Sequence, residues 1–181
     1  MHRAVFIERD GILNEISAAA ASNGGLHSVA EFRIRQEAIG MVRQLKAADF
    51  LVIATTNQPG ISRGTLPRRE LDAMHDALRR SMPLDDILVC PHDSDDDCPC
   101  RKPRPGLLIE AAFKWHIELS LSYVISERWQ DAAAAHVANC TSVLLRSPLN
   151  GKCHHDVIRD TLPDITEEIL GDRKHRRVCV G

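Results

Sequence analysis

The sequence has few aromatic residues, no strong charge excess and no long apolar run, and each absence excludes a class of protein. Four Phe, two Trp and one Tyr occur among 181 residues, and 23 Lys and Arg against 25 Asp and Glu leave a net charge of −2. Nucleic-acid binding relies on positive charge and aromatic stacking, so we expect no nucleic-acid partner. No apolar stretch approaches the roughly 20 residues of a membrane span, so we expect no membrane association.

The N-terminal region also lacks the pattern of a secretory signal. Its apolar run covers residues 4–7 and stops at Glu8, whereas a signal peptide carries an apolar core of roughly 7–15 residues. The overall composition, 44% hydrophobic and 27% charged, is that of an ordinary globular protein. We therefore expect a cytoplasmic protein, and at roughly 150 residues per domain we expect one domain over residues 1–181.

Short apolar runs alternate along the chain with longer stretches of helical periodicity. Strands are predicted at Ala4–Ile7, Phe50–Ala54, Ile87–Cys90, Tyr123–Ser126 and Ser142–Leu145, and helices at Ala38–Ala47, Pro67–Met82, Gly106–His116, Trp129–Asn139 and Asp164–Leu170. This alternation predicts the α/β class, a parallel sheet with helices on both faces. Residues 15–30 are a candidate functional loop or small cap, or simply a mobile segment. The basic segment 172–177 is expected to be a solvated terminus.

Polar clusters follow three of the predicted strands. Glu8 and Asp10 come after the first strand and could bind a metal or act as acid and base, although an acidic strand end is often only solvated. Residues 55–64 follow the second strand and carry hydroxyl, amide and backbone N–H groups, which form either a phosphate cradle or a plain polar turn. Residues 126–131 bring two more acids and an arginine after the fourth strand.

The loop after the third strand holds four sulfur and nitrogen donors within eleven residues. These are Cys90, His92, Cys98 and Cys100. In a reducing compartment such a cluster indicates metal binding rather than disulfides. Three sulfurs and one imidazole fill the tetrahedral shell of Zn²⁺ and leave no open position, so we predict a structural zinc site. Arg101 and Lys102 follow directly and are well placed for an anionic substrate.

The carboxyl ends of parallel strands meet at one edge of a sheet, so these clusters are expected to share a crevice. Acids from two strands, an anion cradle and a fixed lysine together predict magnesium-assisted phosphoryl transfer. In that chemistry the metal neutralises the phosphate oxygens, the lysine screens the carboxylates and a carboxylate attacks.

These residues make the sequence similar to the haloacid-dehalogenase-like phosphatases, and within them to the branch of heptose bisphosphate phosphatases and histidinol phosphatases. The likeness runs from about Ala4 to Leu145. It rests on Thr56-Asn57-Gln58, the Cys/His loop, Arg101-Lys102-Pro103, and Arg128 with Asp131. The resemblance implies a Rossmann-like sheet with a minimal cap, of the type called C0. It also implies a magnesium-dependent reaction on a small sugar phosphate through an aspartyl-phosphate, carried out by a monomer.

The resemblance also implies roles for individual residues. Asp10 matches the general acid and base, Thr56 the phosphate-binding hydroxyl, and Lys102 the lysine that balances the carboxylates. The substrate-binding positions are Asn57, Arg101 and Arg128. The magnesium ligands are Glu8, Asp10 through its backbone carbonyl, and Glu127, with Asp131 in support. The structural zinc ligands are Cys90, His92, Cys98 and Cys100.

The sequence departs from the family pattern at two sites. Position 8, the nucleophile, is Glu8 where the family has aspartate, and a Gly-Asp pair is replaced by Ser126-Glu127. Each acidic replacement adds a methylene and moves a carboxylate by about 1.5 Å on a fixed backbone. A displacement of about 1 Å can cost on the order of 10²-fold in rate, and Mg²⁺ tolerates little distortion of its octahedral shell.

Three functional hypotheses follow. The first is an active sugar-phosphate phosphatase whose metal centre is repositioned for two longer carboxylates. The second is a pseudophosphatase that binds a phosphorylated ligand or a partner protein without turnover. The third, a zinc-dependent nucleic-acid module, is disfavoured because the ligand spacing is not that of a zinc finger and the chain lacks positive charge.

Overall fold

The computed structural model of the protein describes residues 1–17, 20 and 25–172. The candidate loop or cap at residues 15–30 is therefore described only in part. The basic segment predicted to be a solvated terminus lies, beyond Asp172, outside the described residues.

Six parallel strands form one sheet with the order β3-β2-β1-β4-β5-β6. Their bounds are β1 Ala4–Glu8, β2 Leu51–Asn57, β3 Asp86–Cys90, β4 Tyr123–Ser126, β5 Thr141–Leu145 and β6 Val157–Arg159. The first five strands confirm the sequence prediction. The edge strand β6 was not predicted, because three half-buried residues carry no recognisable apolar run.

Five α-helices within the described residues cover both faces of the sheet. They are α1 Gln36–Ala47, α2 Arg68–Ser81, α3 Gly106–Trp115, α4 Trp129–Val137 and α5 Leu162–Gly171. Alternate side chains of a strand point to opposite faces, and β1 shows the result. Val5 and Ile7 pack in the core with α1, α2 and α5, whereas Ala4 and Phe6 pack with α3 and α4. The predicted two-sided α/β architecture is confirmed.

The last helix begins two residues earlier than the periodicity indicated. The Thr161 side chain accepts a hydrogen bond from the Asp164 backbone N–H, and Pro163 lies in the first turn. Both are ordinary helix-start signals, since the cap satisfies a free N–H and proline needs none. The apolar pattern alone placed the start at Asp164 because it ignores capping.

The strand order creates one place where the chain changes direction across the sheet. From β1 the chain moves outward through β2 and β3, and then returns to pair β4 with the other side of β1. In open α/β sheets the crevice beyond the carboxyl ends at such a point is the usual ligand site. Glu8, Asn57 and Ser126, which end β1, β2 and β4, mark this edge.

Candidate active site

A cleft of about 150 Å³ lies at this edge of the sheet. It collects segments that are far apart in sequence, and seven of the residues predicted for the site line it. Its lining residues are Glu8, Asp10, Ile16, Gly25, Asn57, Pro59, Arg101, Lys102, Arg128, Gln130 and Asp131. The structure therefore brings together the acids, the lysine and both arginines, whereas Thr56 and Glu127 are not among the lining residues.

Lys102 is the electrostatic centre of the cleft. Its buried ammonium forms an ion pair with Glu8 and donates to Asp131 Oδ1 at 2.7 Å and to the Thr55 carbonyl at 3.3 Å. Burial lowers the pKa of Lys102 from its ordinary value, and the Asp131 carboxylate opposes this shift. The lysine thus keeps two buried carboxylates close together, which would otherwise repel one another.

Asn57 holds the backbone of this lysine. Its Nδ2 donates to the Lys102 carbonyl at 3.2 Å, and its Oδ1 accepts from the Lys102 backbone N–H at 3.2 Å. The neighbouring Arg101 Nη1 donates to the His92 carbonyl at 2.8 Å. The basic pair is therefore anchored both to β2 and to the Cys/His loop, and Asn57 has a positioning role in addition to its place in the cleft wall.

Asp10 is held by residues to which sequence reasoning gave no role. Arg9 Nε donates to Asp10 Oδ1 and Arg9 Nη2 to Oδ2, both at 3.0 Å. Gln58 Nε2 donates to Asp10 Oδ2 at 2.9 Å and to the buried Thr56 Oγ1 at 2.8 Å. The available signal was Arg9 itself, a cation placed at the end of a buried strand, where an unpaired charge would be costly.

Glu127 lies beside the tight turn that follows β1. Gly11 has a φ of +96°, and a Cβ at this position would overlap the Glu127 carboxylate. Burial raises the pKa of Glu127. The Glu127 carbonyl accepts from Ser147 Oγ at 3.1 Å and from Asn150 Nδ2 at 3.0 Å. Gly11 is therefore required both for the turn and for the space that the longer acid occupies.

The carboxylates of the cleft have the donor chemistry that Mg²⁺ requires, since this ion prefers oxygen ligands. Asp131 Oδ2 is buried and has no hydrogen-bond partner, which leaves an acceptor that a cation can satisfy. Glu8 adds oxygens in the cleft, and Glu127 adds oxygens beside Gly11, outside the cleft lining. Within the described residues, however, oxygens from three different acidic side chains do not all lie within 4.8 Å of one another. The residues fit the ion in donor type.

The four sulfur and nitrogen donors after β3 do converge. The sulfurs of Cys90 and Cys98 are 3.6 Å apart, those of Cys98 and Cys100 are 3.5 Å apart, and His92 Nδ1 lies 3.7 and 3.3 Å from the sulfurs of Cys90 and Cys100. A tetrahedral ion with bonds of about 2.3 Å to sulfur and 2.0–2.1 Å to nitrogen separates its ligands by about 3.6–3.8 Å. The cluster therefore has the size and donor set of a closed zinc site.

Two further contacts brace this loop. Arg63 Nη2 donates to Asp93 Oδ1 at 2.7 Å, and Ser62 Oγ donates to Asp96 Oδ2 at 3.0 Å. Both contacts join the segment after β2 to the Cys/His loop, so the two walls of the cleft are connected at the surface as well as through Asn57.

This fold, with acids after β1 and β4 and a buried lysine between them, defines a phosphatase of the haloacid-dehalogenase-like class. No family model matches the sequence. The D-glycero-beta-D-manno-heptose-1,7-bisphosphate 7-phosphatase of Escherichia coli (strain K12) is 30% identical over 94% of this chain and 95% of its own length. That of Pasteurella multocida (strain Pm70) is 29% identical over 94% and 98%. The chain belongs to this family of heptose bisphosphate phosphatases.

Solved structures agree with this assignment. The D,D-heptose 1,7-bisphosphate phosphatase of B. bronchiseptica, complexed with magnesium and phosphate, superposes with a TM-score of 0.82 at 28% identity over 93% of this chain and 98% of that one. The D,D-heptose 1,7-bisphosphate phosphatase from Burkholderia thailandensis, at 19% identity and a TM-score of 0.69 over 94% and 99%, shares the fold. The predicted family and fold are confirmed.

In the part of the chain that the structure describes, no helix is both long enough and apolar enough to cross a bilayer.

Proposed function

We propose that the protein is a magnesium-dependent phosphomonoesterase that acts on a small sugar phosphate resembling heptose bisphosphate, through a carboxyl-phosphate intermediate. The observation that carries this proposal is the convergence of Glu8, Asp10, Lys102 and Asp131 in one cleft with two arginines. We also propose that residues 1–181 form a single domain, and that the protein works as a cytoplasmic monomer.

The proposed reaction has two steps. The Glu8 carboxylate attacks phosphorus, the bond from phosphorus to the sugar oxygen breaks, and Asp10 donates a proton to that leaving oxygen. Asp10 then takes a proton from a water molecule, which attacks the phosphorus and releases Glu8 and inorganic phosphate. Lys102 screens the negative charge between Glu8 and Asp131 in both steps.

Two metal ions belong to the proposal. Glu8, the Asp10 carbonyl and Glu127, supported by Asp131, would hold Mg²⁺, which when bound neutralises the oxygens of the phosphoryl group. The cluster of sulfur and nitrogen donors would hold one Zn²⁺ as a structural clamp. Its members are Cys90, His92, Cys98 and Cys100.

Substrate selection is assigned to the cations at the cleft wall. Arg101 and Arg128 line the cleft beside Lys102, and a guanidinium is suited to phosphate because it offers paired N–H donors. Thr56 has a different setting from its neighbours, since its hydroxyl is fully buried and accepts from Gln58. We propose that Thr56 supplies the phosphate-binding hydroxyl, which Gln58 holds in place.

The alternative is a pseudophosphatase that binds a phosphorylated ligand or a protein partner without turnover. The position of Glu127 favours it, because this side chain packs against Gly11 and is not among the residues that line the cleft. Loss of a metal ligand in this way would leave phosphate binding by the cations intact.

Phosphate release from heptose bisphosphate, histidinol phosphate and an aryl phosphate, measured with Mg²⁺, tests the proposal. We expect release by the native chain, none by Glu8→Gln, and an unchanged rate in Glu110→Gln, a surface control. Absence of release by the native chain, with activity gained in Glu8→Asp/Glu127→Asp, would establish the pseudophosphatase instead.

A further inference from the structure

Arg9 is fully buried, and it joins the cleft to a helix on one face of the sheet. Its Nε and Nη2 each donate a hydrogen bond to Asp10. Its Nη1 faces α2 and lies 3.3 Å from His75 Nε2 and 3.9 Å from Met74 Sδ. The ring of Phe32 lies 5.6 Å from the guanidinium carbon. A buried arginine is stabilised only when such partners surround it.

His75 is the partner that completes this arrangement. It is 5% exposed, and burial together with the charge of Arg9 lowers the pKa of His75 to about 3. The ring is therefore neutral near pH 7, and its Nε2 lone pair can accept from Arg9 Nη1. A protonated ring would instead place two cations within 3.3 Å.

We propose that His75, acting through Arg9, is a positioning residue for the Asp10 carboxylate, an inference that rests on the acid and base role proposed for Asp10. The guanidinium is fixed at both ends, by the imidazole on α2 and by the carboxylate in the cleft. Gln58 supplies the third hydrogen bond to the same carboxylate. These contacts leave Asp10 little freedom to turn, so its proton is held at the point where the sugar oxygen departs.

The consequence depends on the leaving group. A sugar alkoxide is a poor leaving group and needs the proton from Asp10 as the P–O bond breaks, whereas a nitrophenolate leaves without one. Misplacing a reacting group by about 1 Å costs on the order of 10²-fold. Loosening Asp10 should therefore slow cleavage of the sugar phosphate far more than cleavage of p-nitrophenyl phosphate.

The test compares kcat/KM, which includes the step in which the leaving group departs, for heptose bisphosphate and p-nitrophenyl phosphate. In His75→Leu we expect a fall on the order of 10-fold for the sugar phosphate and less than about 2-fold for the aryl ester. His75→Gln, which restores a neutral acceptor, should recover most of the loss. Leu78→Ala, a buried change one turn along α2, should lower thermal stability without changing the ratio of the two substrates.

Three outcomes are informative in different ways. Equal losses on both substrates, or no recovery in His75→Gln, would overturn the positioning role while leaving the phosphatase proposal intact. A native chain that releases no phosphate from either substrate would refute the proposed function. In that case a crystal structure of His75→Leu still decides the contact, because an Asp10 carboxylate displaced from Arg9 or Gln58 supports it and an unmoved carboxylate overturns it.

Discussion

At the scale of single residues, Lys102 and Gly11 explain how the two longer acids, Glu8 and Glu127, are accommodated. Glu8 still reaches the Lys102 ammonium, which also holds Asp131 at 2.7 Å. The longer side chain at position 8 therefore keeps its ion pair with Lys102. What the added methylene changes is the position of the carboxylate oxygens. At position 127 the extra length is accommodated above Gly11.

Removing the lysine charge should be severely destabilising. Lys102→Met leaves two buried carboxylates without a cation, and breaking a buried ion pair in this way costs about 3–5 kcal/mol. Lys114→Met is the matched control, because Lys114 is half-exposed and pairs with Asp86 at the surface, where such pairs contribute about 0–1 kcal/mol. Chemical denaturation measures both, and equal losses in the two variants would contradict the role given to Lys102.

The buried histidine predicts a pH dependence of stability. The pKa of His75 is about 3 in the folded protein and about 6.5 when unfolded, so below pH 6.5 the unfolded chain binds a proton that the folded chain does not. The native state should lose about 1.4 kcal/mol between pH 7.5 and 5.5 from this group. The stability advantage of the native chain over His75→Gln should shrink by that amount.

Denaturation curves at the two pH values test this directly. Leu78→Ala is the control, because it changes a buried side chain of α2 without removing a titratable group, and its difference from the native chain should stay constant. An advantage over His75→Gln that is the same at both pH values would show that folding does not lower the pKa of His75.

At the scale of elements, the Cys/His loop and β2 together fix the position of Lys102. The loop reaches the cleft through Arg101, which donates to the His92 carbonyl, while Asn57 clamps the Lys102 backbone from β2. A metal that closes the loop thereby limits the motion of residues 101 and 102. Structural zinc sites commonly contribute folding free energy in this manner.

Purified protein should contain about one zinc per chain. Cys98→Ser should lose the metal and speed backbone amide exchange over residues 91–102, whereas Cys153→Ser, which alters a cysteine outside the cluster, should do neither. Metal analysis and hydrogen exchange are the measurements. A fully folded chain without zinc that exchanges at the native rate would refute the site.

The sequence predicts most strands and helices of the fold but not all of its side-chain contacts. Five strands were readable because their apolar runs are long enough to show burial, whereas β6 is only Val-Ile-Arg. Glu8, Asp10 and Asn57 were readable because they end or closely follow strands. The Arg9–His75 contact was not, since it joins positions 66 residues apart and depends on how α2 packs against the end of β1.

At the scale of the whole molecule, the function depends on strand order. β1 lies between β2 and β4, so Glu8, Lys102 and Asp131 meet although more than 120 residues separate the first from the last. Two separate cores, one on each face of the sheet, hold this arrangement in place.

The most direct test of the account is to identify the residue that carries the phosphoryl group during turnover. The protein is mixed with heptose bisphosphate and Mg²⁺, quenched rapidly in acid, digested and analysed by peptide mass spectrometry. We predict one phosphoryl group on Glu8, and none in Glu8→Gln. Phosphate release with the phosphoryl group found on another residue would contradict the claim that Glu8 is the nucleophile. Continued release by Glu8→Gln would also contradict it.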